Sequence, residues 1–158
     1  MSDMRVNLCG VTLKNPVITA SGTFGYGMEF NEFYPVGRLG GISCKGTAAV
    51  EWKGNPSPRI AETPAGMLNS VGLQNPGVDM FLSTYLPWLK AQGTAVIANI
   101  AGHSLEDYCA VAERLAGSDV DLVELNISCP NVKEGGASFG TSAESAALVT
   151  REVKKRCG

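Results

Sequence analysis

Short apolar runs alternate with longer segments of helical periodicity along this chain, and this alternation is what most limits its fold. Four runs rich in Val, Ile and Ala are predicted strands, at residues 16–20, 41–44, 95–98 and 122–125. Three segments with apolar residues at helical spacing are predicted helices, at residues 78–92, 105–116 and 143–156. Such alternation gives a mostly parallel sheet, and continuously apolar strands need helices on at least one face. The sequence therefore predicts the α/β class.

Two further segments have a recognisable local character. Residues 4–13 read as two extended pieces about the turn-forming Gly10, which predicts a small β-hairpin. Residues 53–75 are rich in Gly, Pro, Ser and Asn and are predicted to be a long loop. A loop of that length in a compact domain usually has a function.

Two helix starts carry a capping signal. Ser104 precedes Asp107 by three residues, and Thr141 precedes Glu144 by three. At this spacing a hydroxyl and a carboxylate can each accept a hydrogen bond from the other residue's free backbone N–H. We expect a helix to follow each pair.

Size and charge exclude several classes of protein. The chain has 158 residues, 44% of them apolar and 18% charged, which predicts one globular domain over residues 1–158. Its 13 basic and 15 acidic side chains give a net charge of −2 with no basic stripe, which argues against nucleic-acid binding. No apolar run has the length of a membrane span or the form of a signal peptide. We therefore expect no membrane partner and a cytoplasmic location.

The five cysteines are widely spread and form no C-x-x-C pair. This argues against a disulfide framework and against an internal zinc or iron–sulfur site, so free thiols and no bound metal are expected. We interpret four of the thiols as small buried apolar groups: Cys9, Cys44, Cys109 and Cys157.

Polar residues follow each predicted strand, and they are the most informative residues in the chain. Ser21 and Gly22 close the first strand, Lys45 and Gly46 the second, Asn99 the third, and Asn126 the fourth. Ligands of parallel α/β sheets bind at the carboxyl ends of the strands. The repetition at four strand ends predicts that these residues converge on one ligand.

Several of these residues have a second interpretation. Lys45 either meets a bound anion or extends its ammonium into solvent at the strand end. Asn99 and Asn126 either bind a ligand or satisfy loop backbone groups. Glu124 shares a strand face with Asn126, and a carboxylate facing the interior would need Lys45 or bound water as its partner.

Cys129 lies between Ser128 and Pro130, outside any regular strand, where a substrate could reach it. A reachable thiol can act as a base or nucleophile, so we interpret Cys129 as catalytic. The glycine-rich segment that follows, residues 135–142, suits a lid over it or a plain surface loop equally well.

Other signals are weak. The glycines of residues 22–27 lack the spacing of the dinucleotide fingerprint, and no P-loop lysine follows. His103, the only histidine, has no triad or metal-ligand pattern around it and is interpreted as a solvated loop residue.

Motifs through nearly the whole chain resemble the class 1 dihydroorotate dehydrogenases, and within them the type that works with a separate electron-transfer subunit (class 1B). The matching blocks, in order, are NPV (15–17), ASGTFG (20–25), KGT (45–47), GNP (54–56), PR (58–59), MLNSVGLQNPG (67–77), NIAG (99–102) and ELNISCPN (124–131).

The resemblance implies an FMN enzyme of pyrimidine biosynthesis that oxidises dihydroorotate to orotate in a (β/α)8 barrel. It implies that Cys129 is the base that takes the C5 proton. Lys45 would contact FMN and substrate. FMN would also be held by Ser21, Gly22, Gly46, Asn99 and Asn126, and the substrate by Asn69, Ser70, Val71, Gly72, Leu73, Asn126 and Asn131.

The resemblance also implies a partner. In this type an electron-transfer subunit carries FAD and a [2Fe-2S] cluster and passes electrons to NAD+, and the catalytic chains form a homodimeric core within a heterotetramer. The membrane-bound class 2 relatives use serine as the base and carry an N-terminal membrane extension, and we find neither pattern here.

Length is the point of departure from the family. A (β/α)8 barrel needs about 250 residues, so these 158 residues are expected to cover an N-terminal β-hairpin and about the first four βα units, and to be inactive alone. Two alternatives stay open: a related FMN-dependent dihydropyrimidine dehydrogenase, or a non-catalytic half-barrel assembly module.

Overall fold

The computed structural model of the chain describes residues 3–128 and 137–157. Its strands and helices, in chain order, are β1 Val6–Leu8, β2 Val11–Leu13, α1 Met28–Asn31, a 3-10 turn Val36–Arg38, β3 Gly41–Ser43, β4 Ile60–Thr63, β5 Gly66–Asn69, α2 Val78–Met80, a π-helical segment Phe81–Tyr85, α3 Leu86–Ala91, β6 Ala95–Ile100, α4 Leu105–Leu115, β7 Leu122–Leu125, α5 Ala137–Gly140 and α6 Ala143–Cys157.

A three-stranded parallel sheet in the order β3-β6-β7 carries the site. One face of this sheet is apolar: Ile42, Val96 and Ile100 are fully buried in a cluster with side chains of α3, α4 and α6. Period-two alternation then turns Ser43, Asn99 and Glu124 to the opposite face. The mixed α/β class and the parallel sheet predicted from the sequence are confirmed.

The first predicted strand, residues 16–20, is reduced to a single parallel bridge between Ile18 and Gly41. Thr19 gives the physical reason. Its hydroxyl accepts from the backbone N of Ser43 at 3.1 Å and donates to the backbone O of Ser43 at 3.3 Å. A side chain thus takes the place of the backbone ladder, and Pro16 has no N–H with which to extend the ladder backwards.

The third predicted strand extends further than predicted. β6 continues to Ile100, because beyond β3 the backbone of Thr47 still pairs with Asn99 and Ala101, at 2.9 and 3.0 Å. Asn99 is therefore the second-last residue of the strand. The prediction that it follows the strand is wrong.

The predicted helices are confirmed, with one irregularity. The segment predicted at 78–92 is α2, a π-helical segment and α3 in direct succession. Pro87, the second residue of α3, has no N–H for the residue four positions earlier, so regular α-helical bonding is interrupted there.

The capping signals have different outcomes. Ser104 and Asp107 form the complete capping box at the start of α4. At α6 the hydroxyl of Ser142 accepts from the N of Ser145 at 3.3 Å, and the helix begins at Ala143.

The described residues include two antiparallel hairpins outside the parallel sheet. β1 and β2 pair antiparallel as predicted, and Cys9 and Gly10 in the turn have φ angles of 50° and 90°, as a type I′ turn requires. Residues 53–75, predicted as loop, contain a second hairpin formed by β4 and β5, in which all residues are exposed. In the part of the chain that the structure describes, no helix is long and apolar enough to cross a membrane.

Candidate functional site

The carboxylate of Glu124 is the centre of a polar cluster on the polar face of the sheet. Its Oε1 accepts from the hydroxyl of Ser21 at 2.8 Å and from Nδ2 of Asn99 at 2.5 Å, while its Oε2 accepts from the hydroxyl of Ser43 at 2.5 Å. Nδ2 of Asn99 also lies 3.3 Å from the Ser21 hydroxyl oxygen. The strand register explains the cluster, because Asn99 and Glu124 are paired neighbours on β6 and β7.

This arrangement corrects the suggested pairing of Glu124 with Lys45. The described partners of Glu124 are two hydroxyls and an amide. Lys45 is half-buried, its backbone N donates to the O of Gly25 at 2.8 Å, and it makes no ion pair with any described residue. It lines a cavity of about 350 Å³ whose wall also holds the carboxylates of Glu29 and Glu51.

Gly46 brings three predicted site residues to one point. A Cβ added at Gly46 would lie 2.8 Å from Oδ1 of Asn99 and 3.5 Å from both Nδ2 of Asn126 and Cδ1 of Leu73. Oδ1 of Asn99 is itself buried and has no hydrogen-bond partner among the described residues. A glycine here keeps the space beside that oxygen free of side chain.

Asn126 is fixed to the strand ends by its backbone. Its N donates to the O of Ile100 at 3.0 Å, and its O accepts from the hydroxyl of Tyr108 at 2.5 Å. Tyr108 is fully buried in α4, so the helix behind the sheet anchors the residue that follows β7.

Residues 69–73 divide into two parts. Asn69 and Ser70 are exposed and line a separate cavity of about 230 Å³ beside the β4–β5 hairpin. Leu73 reaches Gly46. Between them, Val71 accepts from the N of Asn55 at 3.0 Å, and Gly72 has a φ of +73° with the Asn55 backbone N only 2.7 Å from its ideal Cβ.

Asn75 fastens this loop to the backbone segment that follows Gly46. Its buried Oδ1 accepts from the backbone N of Ala48 and of Gly77, both at 3.0 Å, and its Nδ2 donates to the O of Leu73 at 2.9 Å. Leu73 is therefore held beside Gly46 by a side chain from its own loop.

Comparison with known proteins identifies the family. The family model described as dihydroorotate dehydrogenase matches residues 3–157. The chain belongs to the dihydroorotate dehydrogenase family. This is a family of flavin-dependent oxidoreductases.

Curated relatives within the dihydroorotate dehydrogenase family are named dihydroorotate dehydrogenase B (NAD(+)), catalytic subunit. That of Alkaliphilus metalliredigens is 59% identical over 97% of this chain and 51% of its own length, and that of Petrotoga mobilis is 53% identical over 99% and 52%. The chain thus spans about half the length of the curated relatives it matches. A dihydroorotate dehydrogenase of Eimeria tenella, solved in complex with ferulenol, has the same fold over 98% of this chain and 44% of its own, with a TM-score of 0.74 and 19% identity.

Two residues expected to act in a dihydroorotate dehydrogenase, Cys129 and Asn131, lie outside the described residues. Gly22 is described, with a φ of +82° and open space where a Cβ would stand. It forms the turn after Ser21, in which the N of Thr23 bonds to the O of Ala20 at 3.3 Å.

The described cysteines are free thiols, as expected. Cys44 and Cys109 are buried, as predicted, Cys157 is partly buried, and Cys9 is exposed in its hairpin turn, contrary to prediction. Burial, with a smaller contribution from the Glu124 carboxylate, raises the pKa of the Cys44 thiol to about 12.

Sequence reasoning missed three residues that build the site: Ser43, Asn75 and Tyr108. Ser43 did carry a signal, since it is a polar residue inside an apolar strand, two positions before Lys45 and hence on one face with it. Asn75 lies within the matching block of residues 67–77, but the partners of Asn75 and Tyr108 are set by the tertiary fold and no local pattern predicts them.

Proposed function

We propose that the protein oxidises dihydroorotate to orotate with FMN as its bound cofactor, as a class 1B dihydroorotate dehydrogenase. Membership of the family supports the reaction, and the names of the relatives support the NAD-linked type. The observation that carries the proposal is the buried, unpartnered Oδ1 of Asn99, which lies beside Gly46 at the carboxyl edge of the parallel sheet.

The donor and acceptor groups around Gly46 fit a flavin. A flavin ring presents both N–H and carbonyl groups along its edge, and the site combines hydroxyl, amide and ammonium groups from Ser21, Asn99, Asn126 and Lys45. A buried polar oxygen without a partner is costly, so a ligand N–H that reaches Asn99 would stabilise the complex. A Cβ at Gly46 would occupy space next to that oxygen.

Each residue then has a distinct part. FMN, whose chemistry when bound is to accept a hydride, would be held by Ser21, Gly22, Lys45, Gly46, Asn99 and Asn126.

The ammonium of Lys45 would attract the substrate carboxylate. Asn69, Ser70, Val71, Gly72, Leu73, Asn126 and Asn131 would contact the substrate. Cys129 would take the proton from C5 at its Sγ, a role that suits a thiol because a modestly lowered pKa gives it a thiolate near neutral pH.

At the level of the assembly, we propose a (β/α)8 barrel of which these residues form the β1–β2 hairpin and about four βα units. Its electrons would pass to a partner subunit with FAD and a [2Fe-2S] cluster and on to NAD+. The catalytic chains would form a homodimeric core within a heterotetramer in the cytoplasm.

Visible absorbance of FMN titrated with the purified chain, and then with orotate, tests this function. We expect the flavin bands to shift on addition of orotate and not of uracil, because orotate alone of the two brings a carboxylate to Lys45. Turnover of dihydroorotate is not expected from these 158 residues alone, since about 250 residues make a complete barrel.

Each other outcome contradicts part of the proposal. A shift with uracil and not orotate would indicate a related enzyme of dihydropyrimidines. A flavin spectrum that the protein never perturbs would overturn FMN binding by these residues alone. Measurable turnover by the chain alone would overturn the need for a complete barrel.

A further inference from the structure

The hydrogens around Glu124 can be assigned from its chemistry. An ionised carboxylate offers acceptors and no donor, so each group within hydrogen-bond distance must direct a hydrogen at it. This fixes the amide of Asn99 with Nδ2 toward Glu124 at 2.5 Å, and it commits the Ser21 hydroxyl hydrogen to the same oxygen at 2.8 Å.

Both contacts of Nδ2 lie on one side of the Asn99 amide, with Oε1 of Glu124 at 2.5 Å and the hydroxyl oxygen of Ser21 at 3.3 Å. The amide oxygen necessarily lies on the opposite side, toward Gly46, where no described residue donates to it. The side of Asn99 that faces Gly46 therefore offers an acceptor, and the hydrogen of the Ser21 hydroxyl is already committed to Glu124.

The carboxylate is itself held in place. Its second oxygen, Oε2, accepts from the hydroxyl of Ser43 at 2.5 Å. Ser43 lies in β3, Asn99 in β6 and Glu124 in β7, so one carboxylate ties all three strands of the sheet together at their polar face.

We propose that Glu124 is a positioning residue that sets the Asn99 amide so that its oxygen, beside Gly46, presents an acceptor to an N–H group of the bound flavin. This inference rests on the function proposed above. It deepens that function by stating which kind of flavin atom this wall of the site selects.

Two conservative variants separate position from charge. Glu124→Gln keeps the reach of the side chain and its Oε1 acceptor, and the Ser43 hydroxyl can reverse to accept from the new amide. Glu124→Asp keeps the charge and withdraws the carboxylate by one methylene. We expect FMN affinity within about threefold of wild type for Gln and weaker by about tenfold or more for Asp, the effect of one lost charge-assisted hydrogen bond.

Glu113→Asp is the matched control. Glu113 lies on α4, where it pairs with Arg156 at 2.9 Å away from the polar cluster. The same shortening there should leave FMN affinity unchanged. Equal affinities for wild type and Glu124→Asp, or weak binding by Glu124→Gln, would overturn the positioning role.

A second measurement needs no flavin. The two Nδ2 protons of Asn99, assigned by their loss in Asn99→Leu, should give separate, slowly exchanging NMR signals in wild type and Glu124→Gln, and fast exchange in Glu124→Asp. Unchanged exchange in Glu124→Asp overturns the inference whatever the flavin does. If the Nδ2 protons exchange as expected but the protein does not perturb FMN, the positioning of the Asn99 amide is supported and the proposed function is contradicted.

Discussion

At the scale of single residues, the substitution Gly46→Ala tests the site most directly. In Gly46→Ala the new methyl group would lie 2.8 Å from Oδ1 of Asn99, closer than carbon and oxygen approach, and Asn99 cannot yield easily because Glu124 holds its amide. We expect FMN affinity to fall by about tenfold or more and the free energy of unfolding to fall by about 1 kcal/mol, as in other overpacked sites. Fluorescence titration and urea unfolding measure the two.

Gly66→Ala is the control for that substitution. Gly66 lies in the exposed strand β5 with a φ that other residues adopt, and its added Cβ would meet nothing within 4 Å. The variant should match wild type in both measurements. If Gly46→Ala also binds FMN like wild type, the space beside Asn99 is not part of the flavin site.

The same scale shows what the sequence could and could not reveal about the site. Polar residues at the ends of apolar runs pointed to Ser21, Asn99 and Asn126 because that pattern is local. The partner of Ser21 is Glu124, 103 residues away, and no local pattern encodes such a pairing. The strand register creates this pairing. It also explains why the partners of Glu124 include two hydroxyls and not Lys45.

At the scale of elements, the periodicity of apolar residues correctly placed three of the four predicted strands of the parallel sheet and all three predicted helical segments. Each of these elements is buried on one face or on both. The exceptions have local causes. The Thr19 hydroxyl replaces backbone groups and shortens the first predicted strand. The β4–β5 hairpin is exposed on both faces, so its sequence has no alternation of apolar and polar residues from which strands could be predicted.

At the scale of elements, the capping box at the start of α4 is predicted to stabilise the fold. Ser104→Ala removes the hydroxyl that accepts from the N of Asp107 at 3.2 Å and breaks the capping box. We expect the free energy of unfolding to fall by about 1 kcal/mol. Ser104→Thr, which keeps the hydroxyl, should lose much less. Equal unfolding midpoints in urea for wild type and Ser104→Ala would show that water caps this helix as well as the serine does.

At the scale of the whole molecule, burial of titratable groups behind the sheet makes stability depend on pH. Cys44 is fully buried on the apolar side of β3, and its thiol has a pKa raised to about 12 from 9.0. Tyr26, which stacks on Tyr85 at a centroid distance of 3.9 Å, has a phenol pKa raised to about 12 from 10.0, mainly by burial.

A raised pKa in the folded state means that the unfolded chain loses its proton first as the pH rises. The stability that Cys44 contributes is therefore complete below about pH 9 and is lost progressively toward pH 12. Between pH 8 and 10.5, deprotonation of this thiol in the unfolded chain should lower the free energy of unfolding by about 2 kcal/mol. Urea unfolding of wild type and Cys44→Ala across that range isolates the effect, because Cys44 stays protonated in the folded protein up to about pH 10.5 and so adds no charge that would change the pKa of Tyr26. The two curves should converge by that amount as the pH rises, and parallel curves would mean that water reaches the thiol and that the apolar face of the sheet is less dry than its packing implies.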